Sequence, residues 1–217
     1  MGDVNVSCCG CEGYQEQFGE KHAVQDVARY HRQGPRKTTR LLLDALKKEG
    51  VQGASLLDVG AGIGIVHHEL LIAGASSAVH VDASVANIRA AKEETARQNH
   101  TNRVRFLRGD FVALAPEISP ADVVILDRVI CCYPDMEDLV AASASHANRL
   151  YGAVFPRDRW FFRGFMAIAN LLRRLRGTDF RSYVHPVSAI DAAVERQGLR
   201  QRSVADTFVW RVAVYSR

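Results

Sequence analysis

Residues Leu56–Leu70 read LLDVGAGIGIVHHEL, an apolar run that ends in an aspartate and passes through three alternating glycines. The run Ala54–Val59 fits a short buried strand, and the stretch Ile63–Ala73 fits a helix. Gly60, Gly62 and Gly64 then occupy the turn between them, where bare backbone can bend sharply and approach a ligand closely. The dinucleotide fingerprint G-x-G-x-x-G is nearly present, but its third glycine should fall at Ile65. Asp58, two residues ahead of the first glycine, also speaks against a pyrophosphate. A carboxylate there favours a ligand that carries an ammonium and no phosphate, such as S-adenosylmethionine.

Outward from this turn the chain keeps one rhythm. Strand-like runs at Ala78–Val81, Val104–Leu107, Val123–Leu126 and Leu150–Phe155 alternate with helical stretches at Val85–Gln98 and Met136–Asn148. Short buried strands alternating with helices predict βαβ units and a parallel sheet covered on both faces. Upstream, residues 22–49 show helical spacing, and Gly34-Pro35 divides them into two helices. Downstream of Phe155 an arginine-rich insertion interrupts the rhythm, and a helix follows at Val187–Gln197. Two β-rich segments close the chain, Gln201–Ala205 and Thr207–Tyr215, and the tight reversal between them predicts one antiparallel strand. The expectation is a Cys-containing flexible tail over residues 1–20 and a single domain over 21–217. Within that domain, 21–50 is a helical cap and 156–185 a lid-like insertion.

Composition narrows the class. The 217 residues are 47% hydrophobic and 24% charged, ordinary for a globular domain with a sizeable core. A formal charge of +4 does not single out nucleic acid as a partner. No apolar segment approaches the roughly 18 residues of a membrane span, and the N-terminus lacks the pattern of a signal peptide. Five cysteines, three of them at Cys8, Cys9 and Cys11 and two adjacent at Cys131 and Cys132, do not spread like a secreted disulfide framework. A cytoplasmic location is the expectation. The spacing of the N-terminal trio gives little support to zinc, and no metal is expected.

Two further carboxylates extend the cofactor reading. Asp82 ends the strand VHVDAS, where a carboxylate can accept from both hydroxyls of an adenosine ribose. Asp110 follows the next strand in RFLRGDF and is placed to accept from an adenine amino group, with Phe111 against the ring. Three carboxylates, each at the C-terminal end of its strand, mark the edge where open α/β sheets bind ligands. This D-x-G-x-G-x-G run, with Asp82 and the Gly109-Asp110 pair, resembles the motifs of class I S-adenosylmethionine-dependent methyltransferases over about residues 54–155. The resemblance implies a Rossmann-like three-layer α/β sandwich with a mostly parallel seven-stranded sheet. It implies cofactor contacts from Asp58, Gly60, Gly62 and Gly64 around the methionine part, from Asp82 and Ala83 at the ribose, from Asp110 and Phe111 near adenine, and from Asp127.

The acceptor side is less legible. The segment DVVILDRVICCYPDMEDL follows the fourth strand, and in the resembled family it faces the transferable methyl. It is similar to the magnesium-protoporphyrin O-methyltransferase subgroup, as is FPRDRW…NLLRRLRGTDFRSYVHP. Cys132-Tyr133-Pro134 replaces that subgroup's His-Tyr-Pro, so the likeness implies small-molecule O-methylation rather than the same substrate. Tyr133, His185 and Tyr30 are the candidate catalytic bases, and Arg128, Cys132, Arg157 and Trp160 the candidate acceptor contacts. From Arg157 to Arg181 seven arginines stand against two aspartates, interleaved with aromatics, which suits a flat acidic molecule. A lid over the pocket is the reading adopted for this insertion. A solvated helix and a membrane-surface helix are its alternatives. Alternatives to the enzymatic reading are a catalytically silent cofactor-binding protein of the same fold and a thiol- or metalloid-directed methyltransferase using the cysteines.

Overall fold

The computed structural model describes residues 15, 17–178 and 180–217. Cys8, Cys9 and Cys11 lie outside them. Two helices come first, α1 (Glu20–Gln33) and α2 (Lys37–Lys48). The alternating core follows: β1 (Ser55–Val59), α3 (Ile65–Ile72), β2 (Ser77–Asp82), α4 (Val85–Arg97), β3 (Val104–Arg108), the one-turn α5 (Phe111–Leu114), β4 (Ala121–Asp127), α6 (Met136–Ser145) and β5 (Ala147–Pro156). Then come α7 (Trp160–Leu175), α8 (Val187–Arg196), β6 (Arg200–Asp206) and β7 (Trp210–Ser216).

The seven strands form one sheet in the order β3-β2-β1-β4-β5-β7-β6, and β7 alone runs against its neighbours. Period-two alternation builds both cores. In β4, Val124 and Leu126 point to the layer of α6 and α8, where they meet Leu139, Val140, Ile190 and Val194. Val123 and Ile125 point the other way, to Leu42, Leu46, Val66 and Leu70 on α2 and α3. Both faces are therefore covered. The chain reverses its winding direction between β1 and β4, which pair at Leu56↔Val123 through Asp58↔Ile125. A crevice opens there, beyond the strands' C-terminal ends.

Three boundaries differ from the expected ones. The helix after Gly64 starts at Ile65, because Gly64 has φ 84° and ends the turn in the left-handed region. The helix expected to run to Asn148 stops at Ser145, because β5 begins at Ala147, opposite Ala121 of β4. Pairing with β4 and β7 on either side recruits those residues into a ten-residue strand. The third is α5, which pattern reading missed. Its single turn exists because the Asp110 carboxylate accepts from the Val112 amide at 3.0 Å.

Behind the glycine turn lie four buried histidines, His67, His68, His80 and His100. Burial holds His67 and His68 down to about 3 and His80 well below its ordinary value. Neither ring nitrogen of His80 has a hydrogen-bond partner. His80→Leu is therefore expected to stabilise the protein, by about 1 kcal/mol at neutral pH, raising Tm by roughly 2–4 °C. The gain should widen as pH falls below 6.5, where the unfolded histidine takes up a proton that the folded one refuses. Thermal melts at pH 7.5 and 5.5 check this, and an unchanged or lowered Tm at both would refute it.

Candidate active site

The glycine turn is shaped by what surrounds it. Gly60, Gly62 and Gly64 all have positive φ, at 61°, 58° and 84°. A Cβ on Gly60 would stand 2.6 Å from Val129 Cγ2, and one on Gly64 would stand 2.6 Å from His67 Cε1. Around Gly62 nothing lies within 4 Å of that position. The middle glycine thus keeps a space open while the outer two admit close neighbours. Asp82, buried at the end of β2, fixes the turn: its Oδ2 accepts from the Gly62 amide at 2.7 Å and its Oδ1 from the Ser84 amide at 2.8 Å. Burial raises its pKa to about 6, with the donated hydrogen bonds opposing.

Asp58 ends β1's inward face almost fully buried, its Oδ2 2.9 Å from His67 Nδ1. Burial first, and then the charge of Asp127 on β4, push Asp58 up to about 8. Asp127 in turn accepts from Thr39 Oγ1 of α2 at 2.6 Å. The next residue, Arg128, has φ 64°, a strained value for an arginine, and its Nε lies 3.3 Å from Asp127 Oδ1. Strain of this kind at a strand tip is stored where surrounding structure enforces it, here through the Arg128 amide bonded to Val154 O at 3.0 Å.

These groups line a cavity of about 480 Å³. Its lining includes Gly60, Gly62, Asp82, Ala83, Asp110 and Phe111 from the turns after β1, β2 and β3. Asp127, Arg128, Cys131, Cys132 and Tyr133 line it from the end of β4 onward, and Arg36, Arg173, Phe180, Ser182 and Trp210 are its further lining. His22 and Asp26 of α1 also line it, with His22 Nδ1 3.5 Å from Asp26 Oδ2.

Comparison with known proteins fits this geometry. Residues 56–150 match the family described as "Methyltransferase domain". Over those residues the chain is similar to a methyltransferase domain. It is similar to magnesium protoporphyrin IX methyltransferase from Synechocystis PCC 6803, solved with bound S-adenosylhomocysteine, at 19% identity and TM-score 0.66, over 96% of this chain and 94% of that one. An O-methyltransferase family protein from Burkholderia thailandensis superposes with TM-score 0.71 at 15% identity, over 94% of this chain and 62% of that one. At such identities the likeness establishes the fold. Ribosomal protein L11 methyltransferase of Pseudomonas putida is 27% identical over 150 residues, 58% of this chain. The chain spans about half the length of those curated relatives.

The residues present fit the cofactor that the sequence motifs imply, S-adenosylmethionine. A carboxylate at the tip of β2, an open glycine cradle and a buried second carboxylate match a phosphate-free nucleoside with an ammonium group. Of the residues singled out in the sequence, Asp58, Gly60, Gly62, Asp82, Ala83, Asp110, Phe111, Asp127, Arg128, Cys132 and Tyr133 share the cavity wall. Gly64 stands behind it, against His67. The structure does not bring Tyr30, His185, Arg157 or Trp160 to that wall. The Tyr30 hydroxyl donates to Glu69 Oε1 at 2.9 Å, and burial raises its pKa to about 12. His185 Nε2 lies 3.0 Å from the Tyr133 carbonyl oxygen. Arg157 bonds the Thr207 carbonyl at 3.1 Å, and Trp160 is 84% exposed. Even Tyr133 is engaged, its hydroxyl donating to Asp110 Oδ2 at 2.9 Å.

Sequence reading missed His22 and Asp26 as cavity residues, although HAVQD places them one turn apart on one helix face. It also missed the packing of residues before α1. Gln15 Nε2 donates to the Ala83 carbonyl at 2.7 Å and Ser84 Oγ to the Phe18 carbonyl at 2.6 Å. This part of the expected tail lies against the β2–α4 turn.

Proposed function

We propose that the protein moves a methyl group from S-adenosylmethionine to an oxygen of a small acidic or aromatic molecule. The observation that carries this reading is the cavity lining, which combines Arg36, Arg128 and Arg173 with Trp210, Phe180 and Ser182. Guanidinium groups bind carboxylates and stack on flat rings. A 480 Å³ cavity lies within the range of about 300–1,000 Å³ typical for a small-molecule ligand, which suits the cofactor. The ribosomal-protein methyltransferase relatives make a protein acceptor the second reading.

In this reading Asp82 accepts from the ribose hydroxyls and Asp58 faces the methionine ammonium. Gly62 leaves room for the chain between them, and Phe111 and Asp110 flank the adenine. When bound, the cofactor supplies a methyl on a sulfonium, a good leaving group, so positioning carries much of the rate. Arg128 and Arg173 orient the acceptor. A carboxylate acceptor needs no base at neutral pH. For a phenol, His22, which lines the cavity, is better placed than Tyr30 or His185, which do not. The Cys132 thiol is pushed up by Cys131 and by burial, which disfavours the thiolate that a thiol-directed mechanism would use.

The test is turnover. The purified protein is mixed with labelled S-adenosylmethionine and a panel of aromatic carboxylates, phenols and a ribosomal protein extract, and S-adenosylhomocysteine release is followed. Transfer to small acids that Arg173→Ala weakens, mainly through KM, supports the reading. Transfer to protein alone replaces it with the second reading. Tight cofactor binding without any turnover would point to the silent cofactor-binding alternative.

A further inference from the structure

α7 is sixteen residues long, yet none of its residues is buried. The face toward the domain is mixed, with Phe162, Met166 and Ala169 half-buried beside Asn170 and Arg173. Asn170 Nδ2 donates to the Ser182 carbonyl at 2.7 Å, and its Oδ1 accepts from the Ser182 amide at 3.0 Å. Arg173 bonds Asn170 Oδ1 at 3.1 Å and Ser182 Oγ at 3.2 Å, and lies over the Phe180 ring. The outward face is apolar. Trp160, Phe165, Ile168, Leu171, Leu172 and Leu175 are all exposed, Leu175 by 75%. With Gly164 they fall on one stripe at 100° per residue. The stripe broadens at its N-terminal end, where Phe161 and Phe162 pack on the exposed Phe208 of the β6–β7 turn, each with ring centroids 5.9 Å apart.

A contiguous apolar stripe of this kind marks an interaction surface. Its border says with what. By the same geometry Arg163 and Arg174 lie along one edge of the stripe and Arg176 along the other. Arg159 lies over Phe208 at 5.5 Å. Between Arg159 and Thr178 the sequence holds five arginines and no acidic residue. Arg163 has Asp158 at 3.8 Å, while Arg174 and Arg176 have no ion pair among the described residues. A second copy of this chain would bring an arginine border against an arginine border, a like-charge contact. Anionic headgroups over an acyl layer match both parts at once, the charge of the border and the hydrophobicity of the stripe.

We infer that α7 is a membrane-surface element that lies in the interface of an anionic lipid bilayer, with Trp160, Phe165, Ile168, Leu171, Leu172 and Leu175 inserted and the flanking arginines on the headgroups. Among the described residues no helix is long and apolar enough to cross a membrane, so the contact is peripheral. The inference does not depend on methyl transfer, but it has a consequence for it. Arg173, on the opposite face of the same helix, lines the cavity, so lipid contact and acceptor binding act on one element.

Vesicle binding tests this. The full chain is spun with phosphatidylglycerol-containing vesicles and with pure phosphatidylcholine vesicles, at low and at high salt, while tryptophan emission is recorded. Binding to the anionic vesicles only is expected, weakened several-fold by salt, with a blue shift of emission. Trp160 and Trp210 are the two tryptophans, and Trp160→Leu should abolish the shift. The double change Ile168→Asp/Leu172→Asp should lower the partition coefficient by about tenfold or more while S-adenosylhomocysteine affinity, read by calorimetry, stays unchanged. Arg163→Glu/Arg174→Glu should lower it as well. The inference falls if the chain ignores anionic vesicles at low salt, or if the double aspartate variant binds as well as the parent. It falls equally if light scattering shows a dimer that the same variant dissolves, which would make the stripe a contact between copies.

Discussion

Asp82→Ala is expected to weaken S-adenosylhomocysteine binding by about 100-fold or more, a loss of about 2.7 kcal/mol. Two effects combine. A carboxylate that accepts from two ribose hydroxyls makes charged hydrogen bonds worth about 1.5–3 kcal/mol each. The same carboxylate holds the glycine turn in place, and its removal leaves the Gly62 and Ser84 amides without their acceptor. A diagnostic follows from the double-mutant logic. The parent should bind an analogue lacking the ribose hydroxyls far more weakly than the natural cofactor, and the alanine variant should barely distinguish the two. Asp82→Asn, which keeps an acceptor for one amide, should fall between. A variant that still folds and still discriminates between the two ligands would show that Asp82 organises the turn without touching the ribose.

The parts of the molecule that were legible in the sequence are those governed by period and by glycine. Alternating buried strands carry their own signal, so all seven strands and the closing antiparallel pair could be placed. The carboxylates Asp58, Asp82 and Asp110 could be placed at the sheet's C-terminal edge for the same reason: each stands at or just past the end of a strand whose period is plain. The acceptor side lacks any such constraint. Tyr30, His185, Arg157 and Trp160 had suitable chemistry, but their direction is decided by long-range packing. Tyr30 turns to Glu69, His185 to the Tyr133 carbonyl, and Arg157 to Thr207. Conversely, His22 and Asp26 line the cavity, and the segment before α1 folds back on Ala83 and Ser84 through contacts 66 and 68 residues apart in sequence. The amphipathicity of α7 was plain from its sequence. Its sidedness was not, because periodicity gives a stripe but not the direction it faces.

Cofactor affinity should rise with pH, about tenfold per unit between pH 6 and 8, and level off above 8. The reason lies in the charges around Asp58. Asp127 faces it from β4, Asp82 from β2 and His67 from α3. Two of these neighbours are carboxylates. The third is a histidine that burial keeps neutral, its pKa near 3, so no cation of the protein meets Asp58. Its proton therefore stays on until about pH 8 in the free protein. A ligand ammonium favours the ionised form, so below pH 8 binding must expel that proton. Calorimetry in buffers of different ionisation enthalpy should count about one proton released at pH 6.5. Asp58→Asn should flatten the profile and abolish the release. The free protein should show the complementary trend in stability. A carboxyl raised from 3.8 to about 8 contributes stability that is full below its unfolded pKa and is lost as pH rises through 8. The buried histidines act in the opposite sense, their contribution present above 6.5 and lost as pH falls toward 3. Cofactor binding should remove the alkaline loss and leave the acid one untouched. Affinity that does not change with pH, with no buffer-dependent heat, would mean that Asp58 keeps its proton in the complex and that the ammonium is held elsewhere.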